Sequence, residues 1–168
     1  RRGKRGRRSD MRFTASIIQG ALFNFWLGRR ISDGLLAQVV VGDVLKKRDT
    51  GGLFTCEDED TDQVRMDSLE IDATGPIYGP KMRQALHMAG ERERIIIDGS
   101  PLDDKDWSKM ARLGQGSRRV SRMMPIGLTC EIEDSDLRLE VTLPAGSYAT
   151  VLIDELTHSS LQAGSGST

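Results

Sequence analysis

Apolar residues recur at helical spacing near the start of the chain. Phe13, Ile17, Ala21 and Phe25 are spaced four positions apart, and Ile18, Leu22 and Trp26 form a second series with the same spacing. The spacing predicts a helix over residues 9–31, N-capped by Ser9, whose broad apolar face must be buried. Gly20 lies in its interior, where glycine costs about 1 kcal/mol relative to alanine, and therefore indicates a close contact with another helix.

The middle of the chain alternates short strand patterns with short helix patterns. Strands are predicted over 35–41, 53–56, 69–79 and 95–97. A helix is predicted over 80–93, with Pro80 as a favourable first residue, and a short helix or a loop over 103–113, around Trp107. The acidic run 57–62 is expected to form a loop that leads into a short helix.

The C-terminal part carries two segments of alternating apolar and polar residues. They cover 128–133 and 137–143, and Asp134-Ser135-Asp136 between them indicates an antiparallel hairpin. A final helix is predicted over 147–158, with Val151, Leu152 and Leu156 on its buried side. The whole order of elements predicts an α+β fold.

Charge is segregated along the 168 residues. The net charge is −1, but residues 1–12 alone carry +6, so that residues 13–168 carry −7. A basic arm suits a polyanion such as RNA, because each cation placed on a phosphate releases counterions. The alternative is a solvated, flexible terminus, and residues 159–168 likewise have the composition of a flexible tail.

The sequence favours neither a metal site nor a cofactor. The two histidines, His87 and His158, are 71 positions apart, and Cys56 and Cys130 are separated by 74 without close-spaced partners. The cysteines are expected to be reduced thiols, and no stretch approaches a membrane span, so we expect a cytoplasmic protein without membrane or metal partners. Four carboxylates near strand ends could each serve as a nucleophile, and none is preferred: Asp43, Glu70, Asp72 and Asp98.

Two glycine-containing loops are candidates for binding anions. In residues 74–82 two glycines precede Lys81, and in residues 113–119 two glycines precede Arg118 and Arg119, with Arg122 close behind. Such loops can present backbone N–H groups and cations to RNA phosphates. The first loop could instead hold a phosphorylated ligand, although its spacing matches no nucleotide-binding motif, and both could be ordinary turns.

Several stretches of the chain together resemble one family. SIIQGALFNFWLGRRI, LLAQVVVGDVLKKRDTGGLF, LEIDATGPIYGPKM, RERIIID and LPAGSYATVLIDEL occur in this order over residues 13–156. They are similar to the TruD family, the tRNA pseudouridine synthase D enzymes. The resemblance implies a TRUD insertion domain at 13–122, after a basic arm at 1–12. It places the closing hairpin and helix of a pseudouridine-synthase catalytic sheet at 125–158.

The resemblance also implies an activity, the isomerisation of uridine to pseudouridine at position 13 of tRNA without a cofactor. The family's nucleophilic aspartate lies in a Gly-Lys-Asp-Arg motif, and this chain has no Lys-Asp-Arg. We therefore expect a chain that is inactive alone and acts with tRNA and an N-terminal half of the catalytic domain. A non-catalytic RNA-binding module derived from the family is the alternative.

The site residues implied by this reading fall into two groups. The expected RNA-binding residues are Arg118, Arg119, Arg122 and Lys81. The residues expected to line the active-site cleft are Gly146, Ser147 and Tyr148, at the corner where the last strand enters the last helix. Read physically, Gly146 lets the strand turn and Ser147 caps that helix.

Overall fold

The computed structural model describes residues 4–134, 136–144, 147 and 149–163, and the side chains of 9–132 and of most described residues up to 156. These residues divide into two compact units, Arg1–Arg122 and Met123–Thr168. The first unit contains four helices and four strands among the described residues, and the second contains a hairpin and one helix. The α+β prediction is thereby confirmed.

The first unit is built on an antiparallel sheet in the order β2-β1-β3-β4. Its elements, in chain order, are α1 (Lys4–Ser32), β1 (Val44–Lys47), β2 (Leu53–Thr55), α2 (Glu59–Asp67), β3 (Ile71–Ile77), α3 (His87–Asp98), α4 (Asp104–Leu113) and β4 (Ser117–Val120). The central strand β3 is buried along nearly its whole length. Residues from α1, α3 and α4 form one apolar core, and residues around β1 and β3 form a second.

The helix α1 packs on β3 at a glycine. A side chain at Gly75 would place its Cβ 2.4 Å from the ring of Trp26 and 2.7 Å from that of Phe23. Only a residue without Cβ therefore allows the two aromatic rings to lie against the strand. This contact fixes which side of α1 faces the core.

The predicted helix 9–31 is confirmed, although it begins at Lys4 and its buried side differs from the one expected. Leu22, Phe23 and Trp26 are buried, whereas Phe13, Ile17 and Phe25 are largely exposed. The close helix contact expected at Gly20 is absent, since nothing described lies within 4 Å of a Cβ built there.

The predicted strand 35–41 is wrong. Its backbone N–H groups bind side chains instead of a neighbouring strand: Val39 donates to Gln63, Val40 to Asp43 and Val41 to Glu59. The valines still contribute to the core, because Val39 and Val40 are buried. The strand follows directly after them as β1.

The predicted strand 95–97 and the helix start at Pro80 are also wrong. Residues 87–98 form a single helix, α3, whose buried positions are Ala89, Glu93 and Ile96. Their spacing is helical, but the charged residue in the middle hides the apolar pattern. The predicted strands at 53–56 and 69–79 are confirmed within a few residues, and the segment around Trp107 forms a helix, α4. The acidic run, expected to be a loop before a helix, already contains the start of α2 at Glu59, because the Asp58 side chain accepts hydrogen bonds from the N–H groups of Asp60 and Thr61 and caps the helix.

Arg30 is buried at the end of α1, with 2% of its side chain exposed. It donates to both carboxylate oxygens of Asp43, at 2.9 and 2.7 Å, and to the carbonyl oxygens of Leu35 and Gln38. A buried charge is tolerated when its partners satisfy it in this way. The ion pair ties the end of α1 to the loop that enters β1.

The second unit consists of β5 (Ile126–Glu133), β6 (Asp136–Thr142) and α5 (Ala149–Ala163). The two strands pair antiparallel, which confirms the predicted hairpin. Leu139, Val141 and Leu143 are half-buried and the residues between them are exposed, as the alternation predicts. Val151, expected on the buried side of the last helix, is 55% exposed.

Both cysteines are free thiols, in agreement with the sequence. Burial in the second core, followed by the nearby Asp62 carboxylate, raises the pKa of Cys56 to about 12. Cys130 is exposed on the hairpin. Among the described residues, no helix is long and apolar enough to cross a membrane.

Replacing Arg30 with leucine should lower the free energy of unfolding by about 3 to 5 kcal/mol, because the change leaves the Asp43 carboxylate buried without its partner. Urea unfolding at neutral pH measures the loss. Arg29→Leu is the matched control, since its side chain is exposed one residue earlier on α1, and it should change stability by less than about 0.5 kcal/mol. Equal effects of the two changes would contradict the assignment.

Candidate nucleic-acid interface

The two glycine-containing loops that the sequence presents as separate candidates lie against each other. The Lys81 N–H donates to the carbonyl oxygen of Gln115 at 2.7 Å. The backbones of Gly79 and Gly116 approach so closely that a Cβ on either residue would lie 2.4 to 2.6 Å from the other loop. Gly116 also has φ +80°, which favours glycine. The glycines here serve the packing of two loops, and no helix N-terminus follows Pro80 to bind an anion.

Residues 117–120 form a strand where the sequence suggested only a loop. This strand, β4, pairs with β3 so that Pro76 lies opposite Arg118 and Gly75 opposite Arg119. Because successive side chains in a strand point to opposite faces, the two adjacent arginines enter different environments. One of them is buried and the other is exposed.

Arg118 is held inside the protein by a network of charged and neutral acceptors. Its guanidinium contacts both carboxylate oxygens of Glu93, at 2.7 and 3.0 Å, and donates to the hydroxyl and carbonyl oxygens of Thr74. Burial raises the pKa of Glu93, and the guanidinium of Arg118 opposes that rise. With 1% of its side chain exposed, Arg118 offers no surface to a phosphate. Arg118 therefore stabilises the first unit through its buried ion pair with Glu93.

Arg119 has the opposite character. Its guanidinium carbon lies 5.0 Å from the centre of the Phe23 ring, and the residue is exposed. A cation stacked on an aromatic face is held in position while its outer face stays open to solvent. Lys81 is also exposed and its backbone is fixed by Gln115. These two cations are placed to meet an anionic partner.

Arg122 shares the carboxylate of Asp72 with Arg48. Arg48 binds both oxygens of Asp72 at 2.7 and 2.9 Å, and Arg122 Nε lies 3.0 Å from one of them. Two guanidinium groups on one carboxylate leave a net positive charge, and 17% of the Arg122 side chain remains exposed. Arg122 is therefore anchored, with only a small part of its surface open.

Of the four carboxylates that the sequence left open as nucleophiles, two are bound by arginines and buried, namely Asp43 and Asp72. Glu70 is exposed and lies 3.6 Å from Arg65, and Asp98 is exposed at the end of α3. A carboxylate engaged by guanidinium groups in the interior is a structural partner. In the part of the chain that the structure describes, no three metal-ligating side chains come together.

The corner expected to line an active-site cleft is described only in part. Gly146 and Tyr148 lie outside the described residues. The Ser147 N–H donates to the carbonyl oxygen of Pro144 at 3.1 Å, and α5 begins at Ala149. The cleft-lining role of these residues remains a prediction.

Sequence reasoning missed the residues that organise this region, Phe23 and Glu93. Phe23 lies outside the apolar face predicted for the first helix, yet it is buried and its ring supports Arg119. Glu93 is buried and paired with Arg118, and a single charged residue within a helix gives no sign in the sequence that it is buried. The alternation of β4 would have separated Arg118 from Arg119, had the segment been recognised as a strand.

Replacing Arg118 with methionine should lower the free energy of unfolding by about 3 kcal/mol or more, because Glu93 is left buried without its cation. The loss should shrink as the pH falls below neutral. The carboxyl group has a raised pKa in the folded state, so protonation there removes the unpaired charge before the unfolded chain takes up the proton.

Arg119→Met serves as the matched control and should cost about 1 kcal/mol or less, the size of a cation–π contact at an exposed site. Urea unfolding of both variants at several pH values measures the difference. A loss that grows on acidification, or equal losses in the two variants, would contradict the network described for Arg118.

Comparison with known proteins identifies what this arrangement is similar to. A family model described as tRNA pseudouridine synthase D (TruD) matches residues 11–156, which run through both units. The tRNA pseudouridine synthase D of Anaeromyxobacter dehalogenans strain 2CP-1 is 39% identical over 146 residues, covering 87% of this chain and 42% of that protein. That of Thermus thermophilus is 37% identical over 145 residues, covering 86% of this chain and 39% of that protein.

A solved structure agrees with these matches at the level of the fold. The crystal structure described as tRNA pseudouridine synthase D (TruD) from Methanosarcina mazei has a TM-score of 0.65 at 23% identity. It covers 82% of this chain and 36% of that one. The chain thus spans about two fifths of the length of the curated relatives it matches.

Proposed function

Because the chain belongs to the TruD family, tRNA pseudouridine synthase D, we propose that it forms part of an enzyme that isomerises uridine to pseudouridine at position 13 of tRNA. The observation that carries the proposal is the match over residues 11–156. A match through both units favours a role for the chain as a whole over one for a single borrowed module.

The two units have separate roles in this proposal. The first, up to Arg122, corresponds to the TRUD insertion domain, and the second to the closing hairpin and helix of the catalytic sheet. The hairpin supports this division: it has two strands, and it exposes Ile126, Ile132 and Leu137. A two-stranded hairpin is marginal in water by itself and is stabilised by further strands. The remainder of a catalytic sheet would supply them.

The RNA contact that we propose centres on Arg119 and Lys81. Both are exposed, and both are positioned by neighbouring groups, the Phe23 ring and the Gln115 carbonyl. Arg122 adds positive charge through its remaining exposed surface, and Arg118 is left out because it is buried. Arginine can bind a phosphate or stack on an unpaired base, and either contact suits a folded tRNA.

The chemistry in this proposal requires the family's aspartate motif, which these 168 residues do not contain. The target uridine must leave the base stack before a nucleophile can reach it. The family's aspartate motif is absent from the 168 residues, and the buried carboxylates Asp43 and Asp72 are engaged by arginines. We therefore propose that the chain alone forms no pseudouridine and that a partner segment with the motif supplies the nucleophile.

A chimeric enzyme tests the function. Residues 11–156 replace the matched segment of the A. dehalogenans relative, and the chimera is assayed for pseudouridine formation in unmodified tRNA transcripts. We expect the chimera to be active and the 168-residue chain alone to be inactive. The unaltered relative and a chimera whose motif aspartate is replaced by asparagine are the controls.

Two outcomes would contradict the proposal. Turnover by the isolated chain would show that it carries its own nucleophile. A folded chimera without activity, together with tRNA binding by the isolated chain, would favour the non-catalytic RNA-binding module instead.

The RNA contact makes a separate prediction. The double change Arg119→Ala and Lys81→Ala should weaken tRNA binding and reduce the slope of log K against log salt by up to about two, because two phosphate contacts are removed. Filter binding at salt concentrations between about 50 and 200 mM measures the slope. The control pair Arg94→Ala and Lys105→Ala removes exposed cations from α3 and α4 and should leave the slope unchanged. If the control pair reduced the slope and the Arg119→Ala, Lys81→Ala pair did not, the RNA-binding surface would lie on α3 and α4 instead.

A further inference from the structure

One face of α1 is apolar and open to solvent. We call it the outer stripe, and it consists of Phe13, Ile17, Ala21, Phe25 and Ile31. The two phenylalanines are each 68% exposed, Ile17 is 55% exposed and Ile31 is 53% exposed. Single exposed apolar residues are normal, but a row of them along one helix face marks an interaction surface.

The opposite side of α1 already forms the core of the first unit through Leu22, Phe23 and Trp26. The stripe is therefore additional to what the unit needs for its own packing. Gly20 and Gly28 lie beside it, with nothing described within 4 Å of a Cβ at either position. Each glycine weakens the helix by about 1 kcal/mol relative to alanine. Small residues next to bulky ones permit another backbone to approach closely.

The chemistry of the stripe favours a protein partner over a nucleic acid. Residues 13–28 of α1 contain no Asp, Glu, Lys or Arg. Binding of a polyanion needs cations, which this surface does not provide between those residues. The surface that covers it must be apolar and uncharged, as in the interior of a folded protein.

The relatives indicate which protein segment that is. The stripe lies within the segment matched by the family model, yet the chain accounts for 42% of the length of the A. dehalogenans relative. In such an enzyme more than half of the polypeptide is available to pack against α1. We propose that the outer stripe docks the part of the TruD polypeptide that lies outside the matched segment, so that α1 is a two-sided helix shared by both parts.

This inference rests on the proposed function, and the same chimera can separate the two. The triple variant Phe13→Gln, Ile17→Gln and Phe25→Gln removes the apolar groups and keeps good helix formers. In the isolated 168-residue chain it should change the Tm by less than about 2 °C, because the residues are exposed there. In the active chimera it should lower the Tm by about 5 °C or more, because burial of the stripe is lost.

The control variant Val64→Gln and Met88→Gln replaces exposed apolar residues outside the stripe. It should leave the Tm of both proteins unchanged. A chimera that folds but is inactive would count against the proposed function. The docking of the outer stripe would still be tested by the Tm of the triple variant of that chimera. A stripe variant of the chimera with an unchanged Tm would overturn the inference while the proposed function stands.

Two further results would also overturn it. A fall in Tm of the same size in the isolated chain would show that the stripe is already buried within the 168 residues. A dimer of the isolated chain in light scattering, dissociated by the triple variant, together with an unaffected chimera, would assign the stripe to a second copy of the chain.

Discussion

The close approach of α1 to the central strand at Gly75 is the contact on which the rest of the first unit depends. Without a Cβ at that position, the Trp26 and Phe23 rings lie directly on the sheet. The rotation of the helix is then fixed, and with it the burial of Arg30 beside Asp43 and the placement of the Phe23 ring beneath Arg119. A larger residue would force the rings away and disturb the ion pair and the exposed cation together.

The sequence was informative where a pattern reports local geometry. The long helix, the hairpin of alternating residues and the strand at 69–79 were predicted because period and alternation follow directly from the backbone. It failed at 35–41, where β-branched residues suggest a strand. The amides there bind Gln63, Asp43 and Glu59, which are tertiary partners that no local window contains.

The candidate interface shows the same limit at the level of single side chains. The sequence located the basic segment but could not separate Arg118 from Arg119, since the distinction requires that β4 be a strand and that Glu93 lie behind it. Periodicity also established that α1 has a broad apolar surface. It could not say that one side lies in the core and the other in solvent, because both sides are apolar.

The clamp of Arg122 and Arg48 on Asp72 has a mechanical consequence. Arg122 is the last residue of the first unit, two residues after the end of β4, and Met123 begins the second. A force that pulls on the chain at Met123 acts on the C-terminal end of β4. Charge-assisted hydrogen bonds between Arg122 and Asp72 hold this end to β3. Fraying of β4 from this end must first break the Arg122 contact. The sheet is thus reinforced at the position where the polypeptide would transmit tension between the two units.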